Sequence, residues 1–422
     1  MRFWVKRESL AEAVTWGTRC AAVHPARPHL GGALLELAGG ELTVTSFDGE
    51  SSARVVVPVE TADAGTADAG TAGAGTAGGE SGAAGCALVS ARLLVEITKA
   101  LPDQAIDVEL TGGVLRLRCG GGRFGLPTMP VEDYARPPVL SAPTGTVDAT
   151  LFGAAVAQVA AAASREESLP ILTSVRVAVG GDRMSLLASD RYRAARRELT
   201  WQPVDPKREG EFLVPARPLL DAARAFAPVP DTLAVVVDEG VFDGGTIGFT
   251  AAGRQLTTRL LEGTFPPMGR LFDAPRPTVA TMPVAELTEV VKRVALFADR
   301  TSPVLLRLAP GSAAGSALGS APGSARGSAA GSVKGSASGS VTVEARGAQD
   351  AEASEAIDAE FTGAPVTLAF NEAYLLDGLR AVGASRVTLS FDDPLKPVML
   401  SPAGGAEAAY VLQPVRVDYS GG

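Results

Sequence analysis

Apolar residues recur along this chain in two alternating rhythms, and the whole pattern occurs three times. A helical spacing, apolar-x-x-apolar-Val, opens each copy at Leu10-Ala-Glu-Ala-Val14, Phe152-Gly-Ala-Ala-Val156 and Leu287-Thr-Glu-Val-Val291. A second helical stretch with a Leu-Leu pair follows at Leu93-Leu94, Leu219-Leu220 and Leu375-Leu376. Between them the period drops to two. "GALLELAGGELTVTSFD" alternates around Gly39-Gly40 and predicts a hairpin. "VRVAVGGDRMSLLASD" repeats it around Gly180-Gly181-Asp182, and "VLLRLAP…SVTVEAR" is a third copy with a swollen turn. Further strands follow each Leu-Leu helix. Each copy thus reads helix, strands, helix, strands. That predicts an α+β fold of three similar domains, each with two helices packed on antiparallel sheets. The expected bounds are 1–143, 144–272 and 273–422.

Two stretches leave this rhythm. Residues 61–85 open with "TADAGTADAGTAGAGT", and 309–340 alternate Gly-Ser with Ala. Neither can bury apolar surface, so both are expected as flexible loops outside the fold.

Composition narrows the function. A hydrophobic content of 46% is ample for packed cores. No apolar run reaches the roughly 18 residues of a membrane span, so no membrane partner is expected. Met1-Arg-Phe-Trp-Val-Lys-Arg7 carries no secretory apolar region, which implies a cytoplasmic protein. A net charge of −9 argues against bulk nucleic-acid binding but allows positive charge confined to one surface. Cys20, Cys86 and Cys119 form no CxxC motif and are expected as buried or partly buried thiols.

Catalytic chemistry finds few candidates. There is no Gly-Lys dipeptide, hence no phosphate-cradling P-loop. "GGGRFG" at 120–125 sits between strands and opens no helix. The histidines are His24 and His29, and with Cys20 they offer three ligands where a structural zinc wants four. No catalytic residue, metal or cofactor is expected. The pattern favours a binding or scaffold role over an enzyme assembled from scattered carboxylates.

Seven segments in order carry a resemblance: "RFGLPTMPVEDY" (123–134), "LPILTSVRV" (169–177), "LLASDRYRAARRE" (186–198), "LVPARPLL" (213–220), "TTRLLEGTFP" (257–266), "AFNEAYLLDGL" (369–379) and "QPVR" (413–416). On the threefold repeat, they resemble the bacterial β sliding clamps, the ring-forming processivity subunits of DNA polymerase III. The Ala, Gly and Arg bias suits an actinobacterial member. The resemblance implies a head-to-tail homodimer that encircles double-stranded DNA without reading its sequence, with helices lining the hole. Its DNA-facing cations would be Arg7, Arg19, Arg27, Arg92, Lys99, Arg217, Arg224, Lys292, Arg293 and Arg380. His24 stands where members of the family more often carry Arg. Ring closure would set Arg123, Phe124 and Leu126 on one edge against Leu296 and Phe297 on the other.

The same resemblance implies a peptide-binding groove made of Leu172, Ser189, Arg191, Tyr192, Arg193, Ala194, Pro266, Arg270, Leu271, Val411, Gln413, Pro414, Val415 and Arg416. Its implied partners are the DNA polymerase III alpha subunit, the clamp loader delta subunit, and other polymerases and repair proteins with clamp-binding peptides. Ala194 stands where Leu is usual, Gln413 where Met is usual and Ser174 where Gly is frequent, and six residues follow Arg416. Three carbons missing at Ala194 would cost an apolar ligand about 2 kcal/mol. These departures also fit a paralogous clamp that serves a specialised polymerase or tolerates a clamp-directed antibiotic.

Overall fold

The computed structural model describes residues 1–61, 84–229, 232–239, 244–299, 302–311, 338–347, 351–405 and 407–416. The two low-complexity inserts lie largely outside the described residues, and the tail after Arg416 wholly so.

The first repeat runs β1 (Arg2–Lys6), α1 (Arg7–Gly17), β2 (Gly32–Ala38), β3 (Glu41–Phe47), β4 (Ser51–Pro58), β5 (Gly85–Ser90), α2 (Ala91–Ala100), β6 (Ala105–Thr111), β7 (Val114–Cys119) and β8 (Gly122–Pro127). The second runs β9 (Gly145–Asp148), α3 (Ala149–Ala160), β10 (Ser174–Gly180), β11 (Arg183–Ser189), β12 (Arg193–Thr200), β13 (Gln202–Pro203), β14 (Glu209–Pro215), α4 (Ala216–Phe226), β15 (Thr232–Asp238), β16 (Thr246–Ala251) and β17 (Arg254–Arg259). A short helix that the sequence pattern does not signal, α5 (Gly269–Asp273), precedes the third. The third repeat runs β18 (Thr278–Pro283), α6 (Val284–Ala295), β19 (Val304–Pro310), β20 (Ser338–Arg346), β21 (Glu352–Phe361), β22 (Val366–Phe370), α7 (Glu372–Val382), β23 (Arg386–Phe391), β24 (Val398–Pro402) and β25 (Ala408–Leu412).

The repeated motifs explain these elements. The apolar-x-x-apolar-Val residues are the buried stripe of a helix: Leu10, Ala13 and Val14 in α1, and Leu287, Val290 and Val291 in α6. Helix starts are capped where the sequence supplies a cap. Ser90 Oγ accepts from Leu93 N at 3.4 Å and Asn371 Oδ1 from Tyr374 N at 3.1 Å. The β2–β3 hairpin needs two left-handed residues in a row, which Gly39 (φ 59) and Gly40 (φ 79) provide.

By contacts the described residues form two compact units. Unit one comprises Met1–Phe152, Trp201–Arg208 and Asp221–Leu261, and unit two comprises Gly153–Thr200, Glu209–Leu220 and Glu262–Gly422. Unit one holds a four-stranded sheet, β1-β6-β7-β8, and a nine-stranded sheet, β13-β9-β15-β16-β17-β4-β3-β2-β5. Unit two holds one twelve-stranded sheet, β14-β10-β11-β12-β25-β24-β23-β18-β21-β20-β19-β22. The middle repeat contributes to both units because its sheets run on into its neighbours, through β17–β4 on one side and β12–β25 on the other.

These two junctions match bond for bond. Asp48 N donates to Ser51 O at 3.2 Å, and Asp190 N to Arg193 O at 3.2 Å. Arg259 N donates to Glu50 O at 3.0 Å, and Gln413 N to Tyr192 O at 2.9 Å. The side chains differ. Buried hydroxyl pairs, Ser51–Thr258 at 3.0 Å and Ser52–Thr257 at 2.6 Å, zip the first junction. At the second, Ala194 faces Val411.

All three cysteines are free. Cys119 is buried and Cys20 half-buried, but Cys86 is exposed, against expectation, because it sits near the start of β5 at the edge of its sheet. Among the described residues no helix is long and apolar enough to cross a membrane.

Candidate functional site

Unit two brings most of the expected groove residues together. The β11–β12–β25 ladder sets Ser189 opposite Ala194, and Ala194 opposite Val411. Past the ladder, Gln413 N donates to Tyr192 O and Val415 N to Ala369 O at 2.8 Å, so the 413–415 segment is held between the β11–β12 turn and β22. Leu172, Ser189, Arg193, Ala194, Val411 and Pro414 are buried. Arg191, Tyr192, Pro266, Arg270, Gln413, Val415 and Arg416 are exposed, and Leu271 is half-buried. Pro266 borders a pocket of about 410 Å³ with Arg176, Leu187, Arg196 and Phe272. Arg270 and Leu271 border another cleft, of about 700 Å³.

Ala194 has no exposed surface at all. Its methyl group therefore offers no surface to a ligand.

Arg193 is the hub of this site. The Asp190-x-x-Arg193 turn forms because Asp190 Oδ1 accepts from Tyr192 N and Arg193 N, both at 3.0 Å. Arg193 Nε then donates to Asp190 Oδ2 at 2.9 Å, and Nη1 to Asp377 Oδ2 at 2.6 Å and to Tyr410 Oη at 3.1 Å. Its guanidinium lies 4.3 Å from the centre of the Tyr374 ring, which stacks on Tyr192 at 6.3 Å. Burial alone would lower the guanidinium pKa, but Tyr410, Asp377 and Asp190 outweigh it and hold the cation above its ordinary value. Burial likewise pushes the Tyr410 hydroxyl up, so it remains protonated and donates to Tyr374 O at 3.1 Å. Asp190, Asp377, Tyr374 and Tyr410 were not among the expected groove residues. The Asp-x-x-Arg spacing was a usable local signal, whereas the approach of α7 was not.

The expected DNA-facing cations divide into two groups. Arg7 pairs with Asp103 at 3.6 Å, Arg92 with Glu96 at 3.0 Å, Lys292 with Glu289 at 2.8 Å, Arg293 with Glu355 at 2.6 Å and Arg380 with Asp377 at 2.7 Å. Arg19, Arg27, Lys99, Arg217 and Arg224 are exposed without a carboxylate partner among the described residues. Arg19 lies 5.0 Å from the centre of the Trp16 ring. The expected edge residues divide as well. Arg123 and Phe124 are exposed on β8, an edge strand, while Leu126 is buried opposite Leu115. Leu296 and Phe297 follow α6 and are 82% and 47% exposed. Among the described residues no group of three or more His, Cys, Asp or Glu could hold a metal ion.

Three family models, the N-terminal, central and C-terminal domains of the DNA polymerase III beta subunit, match residues 1–139, 146–267 and 331–416. The chain belongs to this family of sliding clamps. The beta sliding clamp of Streptomyces coelicolor is 38% identical over 427 residues, covering 99% of this chain and 100% of that relative. The beta sliding clamp homolog GriR of Streptomyces muensis is 32% identical over 425 residues and covers 99% of each chain. The solved DNA polymerase III subunit beta of Pseudomonas aeruginosa shares the fold, with a TM-score of 0.80 at 22% identity, over 99% of this chain and 100% of that one. So does a sliding clamp from that organism bound to griselimycin, with a TM-score of 0.81 at 22% identity over the same shares.

For a sliding clamp, the contrast between the two junctions is informative. The hydroxyl zip of the first consumes its own polar groups. The second leaves the Tyr192 and Val415 side chains exposed beside a buried apolar ladder.

Proposed function

We propose that two copies of this sliding clamp close head to tail around duplex DNA. The groove in unit two then recruits the DNA polymerase III alpha subunit, the clamp loader delta subunit and other polymerases and repair proteins. Three domains bounded near residues 143 and 272 supply six similar blocks to the ring. One observation carries the reading. In both junctions within the chain, the last strand of one repeat pairs with the fourth strand of the repeat before it, β17 on β4 and β25 on β12. That rule leaves two edges over: β8, the last strand of the first repeat, and β21, the fourth strand of the third. Beyond its pairing with β20, β21 meets β18 only at Phe361 and Glu360, so Glu352–Ala359 has an open edge. A heterologous contact between β8 of one copy and β21 of the other closes a ring of two if the rotation is right.

The internal junctions also suggest a register. Leu256 faces Ala53, and Tyr410 faces Ala195. Hairpin positions align Phe124 with Leu256, and by that analogy Phe124 would face Ala353 of the partner subunit and Arg123 would face Ser354 of the partner subunit. The charges agree, with Arg116 and Arg123 on one side and Glu352 and Asp358 on the other. The exposed cations would make phosphate contacts that position the duplex without reading it.

The test is a disulfide across the seam. Facing residues of an antiparallel pair lie about 4.5–5.5 Å apart at Cα, within disulfide range. In a Cys86→Ser background, Arg123→Cys with Ser354→Cys should oxidise to a doubly linked dimer, and Arg123→Cys with Ile357→Cys should not. A protein that remains monomeric under oxidation, with neither pair linking, refutes the ring.

The match to GriR is consistent with a second reading, a paralogous clamp with an altered groove that tolerates a clamp-directed antibiotic or serves a specialised polymerase. In place of the family's usual Met, Gln413 donates Nε2–H to Leu395 O at 3.0 Å. Titrating this chain and the S. coelicolor clamp with one polymerase peptide and with griselimycin tests it. Equal affinities for both ligands reject a specialised groove.

A further inference from the structure

We propose that the cleft beside the groove is a subsite for the acidic flank of a client peptide, taking carboxylates that neighbour the peptide's apolar anchor. The proposal rests on the groove reading above. The cleft has a volume of about 700 Å³ and is walled by Leu271, Ala274, Pro275, Pro277 and Pro397. That is room for a few peptide residues, within the roughly 300–1,000 Å³ of ordinary ligand pockets. Its charged lining is Arg270, Arg276 and Lys396 against one carboxylate, Asp392.

These groups have different tasks. Arg276 is committed to the wall: it donates to Phe272 O at 3.2 Å, to Ala274 O at 3.0 Å and to Leu271 O. Lys396 holds Asp392 at 2.6 Å while its side chain stays 62% exposed. Arg270 is exposed and has no carboxylate partner among the described residues. The lining itself thus carries three cations to one carboxylate, with Asp273 and Asp393 outside it acting on Arg276 and Lys396, on a protein whose own net charge is −9.

The neighbouring pocket of about 410 Å³ argues the contrast. Its lining balances Arg176 and Arg196 with Glu198 and Glu211, where the other cleft sets three cations against Asp392. An anion gains little there. The 700 Å³ cleft adjoins the proposed groove: Arg270 and Leu271, expected in the groove, line the cleft, and Gln413 Nε2 donates to Leu395 O in the loop that carries Lys396. A peptide leaving the groove on this side meets the cations.

The test uses the full chain and four labelled peptides with one anchor, Gln first and Leu-Phe last. Three Glu or three Ser residues are added at either end. Fluorescence anisotropy is read at about 0.01 M salt, where the screening length is roughly 30 Å, and at about 1 M, where it is roughly 3 Å. At one end, Glu should bind about tenfold tighter than Ser in low salt, and the gain should vanish in high salt. Lys396→Glu should abolish that gain and leave the Ser-flanked affinity within about twofold, since an exposed charge off the anchor contributes little to it. Equal affinity of Glu and Ser flanks at both ends overturns the subsite alone, as does a gain that survives Lys396→Glu. If no peptide binds, the groove reading fails and the subsite falls with it.

Discussion

Replacing Arg193 with Met keeps the length of the side chain and removes its charge. The lost contacts are the 2.9 Å bond to Asp190, the 2.6 Å bond to Asp377, the 3.1 Å bond to Tyr410 and the approach to the Tyr374 ring. Hydrogen bonds to charged groups contribute about 1.5–3 kcal/mol each. The simple sum is too large, because the carboxylates keep other partners. Asp377 still receives Arg380 at 2.7 Å, and Asp190 still accepts two backbone N–H groups. Removing one member of a buried pair costs about 3–5 kcal/mol, and the lower end applies here because Asp377 is 21% exposed. At about 2–4 °C per kcal/mol for a body of this size, the melting of unit two should fall by roughly 10 °C. Differential scanning calorimetry, with hydrogen exchange to assign the transition, measures it. Arg293→Met, which breaks an exposed pair with Glu355, should leave the melting of unit two nearly unchanged. If Arg193→Met is as mild as Arg293→Met, Arg193 is not the hub described here.

Three further expectations follow from particular side chains. Ala194→Leu should destabilise the fold by about 1–3 kcal/mol in denaturant titration, because the site is fully enclosed; a peptide affinity raised without loss of stability would contradict that placement. The Cys20 thiol is pushed up to about 12, first by burial and then by Asp48 and Asp221, so at pH 8 iodoacetamide should label Cys86 well before Cys20. Mass spectrometry reads the order, and equal rates would count against it. Arg176 holds the Glu211 carboxyl below its ordinary value, chiefly through their hydrogen bond. That stability is present above the unfolded value of about 4.3 and is lost as pH falls through the lower folded one, so Arg176→Gln should flatten the acid limb of the stability curve.

The sequence made the repeat legible because its signal is local. The buried stripes of α1 and α6 and the Gly39-Gly40 turn are set by neighbours within a few residues. The contacts among the expected groove residues were legible only where those residues lie on that repeat. Ser189, Arg193 and Val411 meet because β11, β12 and β25 are adjacent, which the family resemblance anticipated. Spacing alone did not. Two partners of Arg193, Asp377 and Tyr410, come from α7 and β25, about two hundred residues away, and no periodicity announces such a contact. Burial was misjudged at Cys86 for a related reason, since the strand was readable and its place at a sheet edge was not. At Ala194 the change of size was visible, but its full burial was not.

The most direct measurement of the central claim is retention on circular DNA. The Arg123→Cys, Ser354→Cys protein is oxidised in the presence of a nicked circle, washed at about 1 M salt, where phosphate contacts are largely screened, and then treated with an enzyme that cuts the circle once. The account predicts that protein stays on the intact circle through the wash and leaves after the cut. Protein that washes off the intact circle, or that remains on the cut DNA as firmly as before, would contradict it.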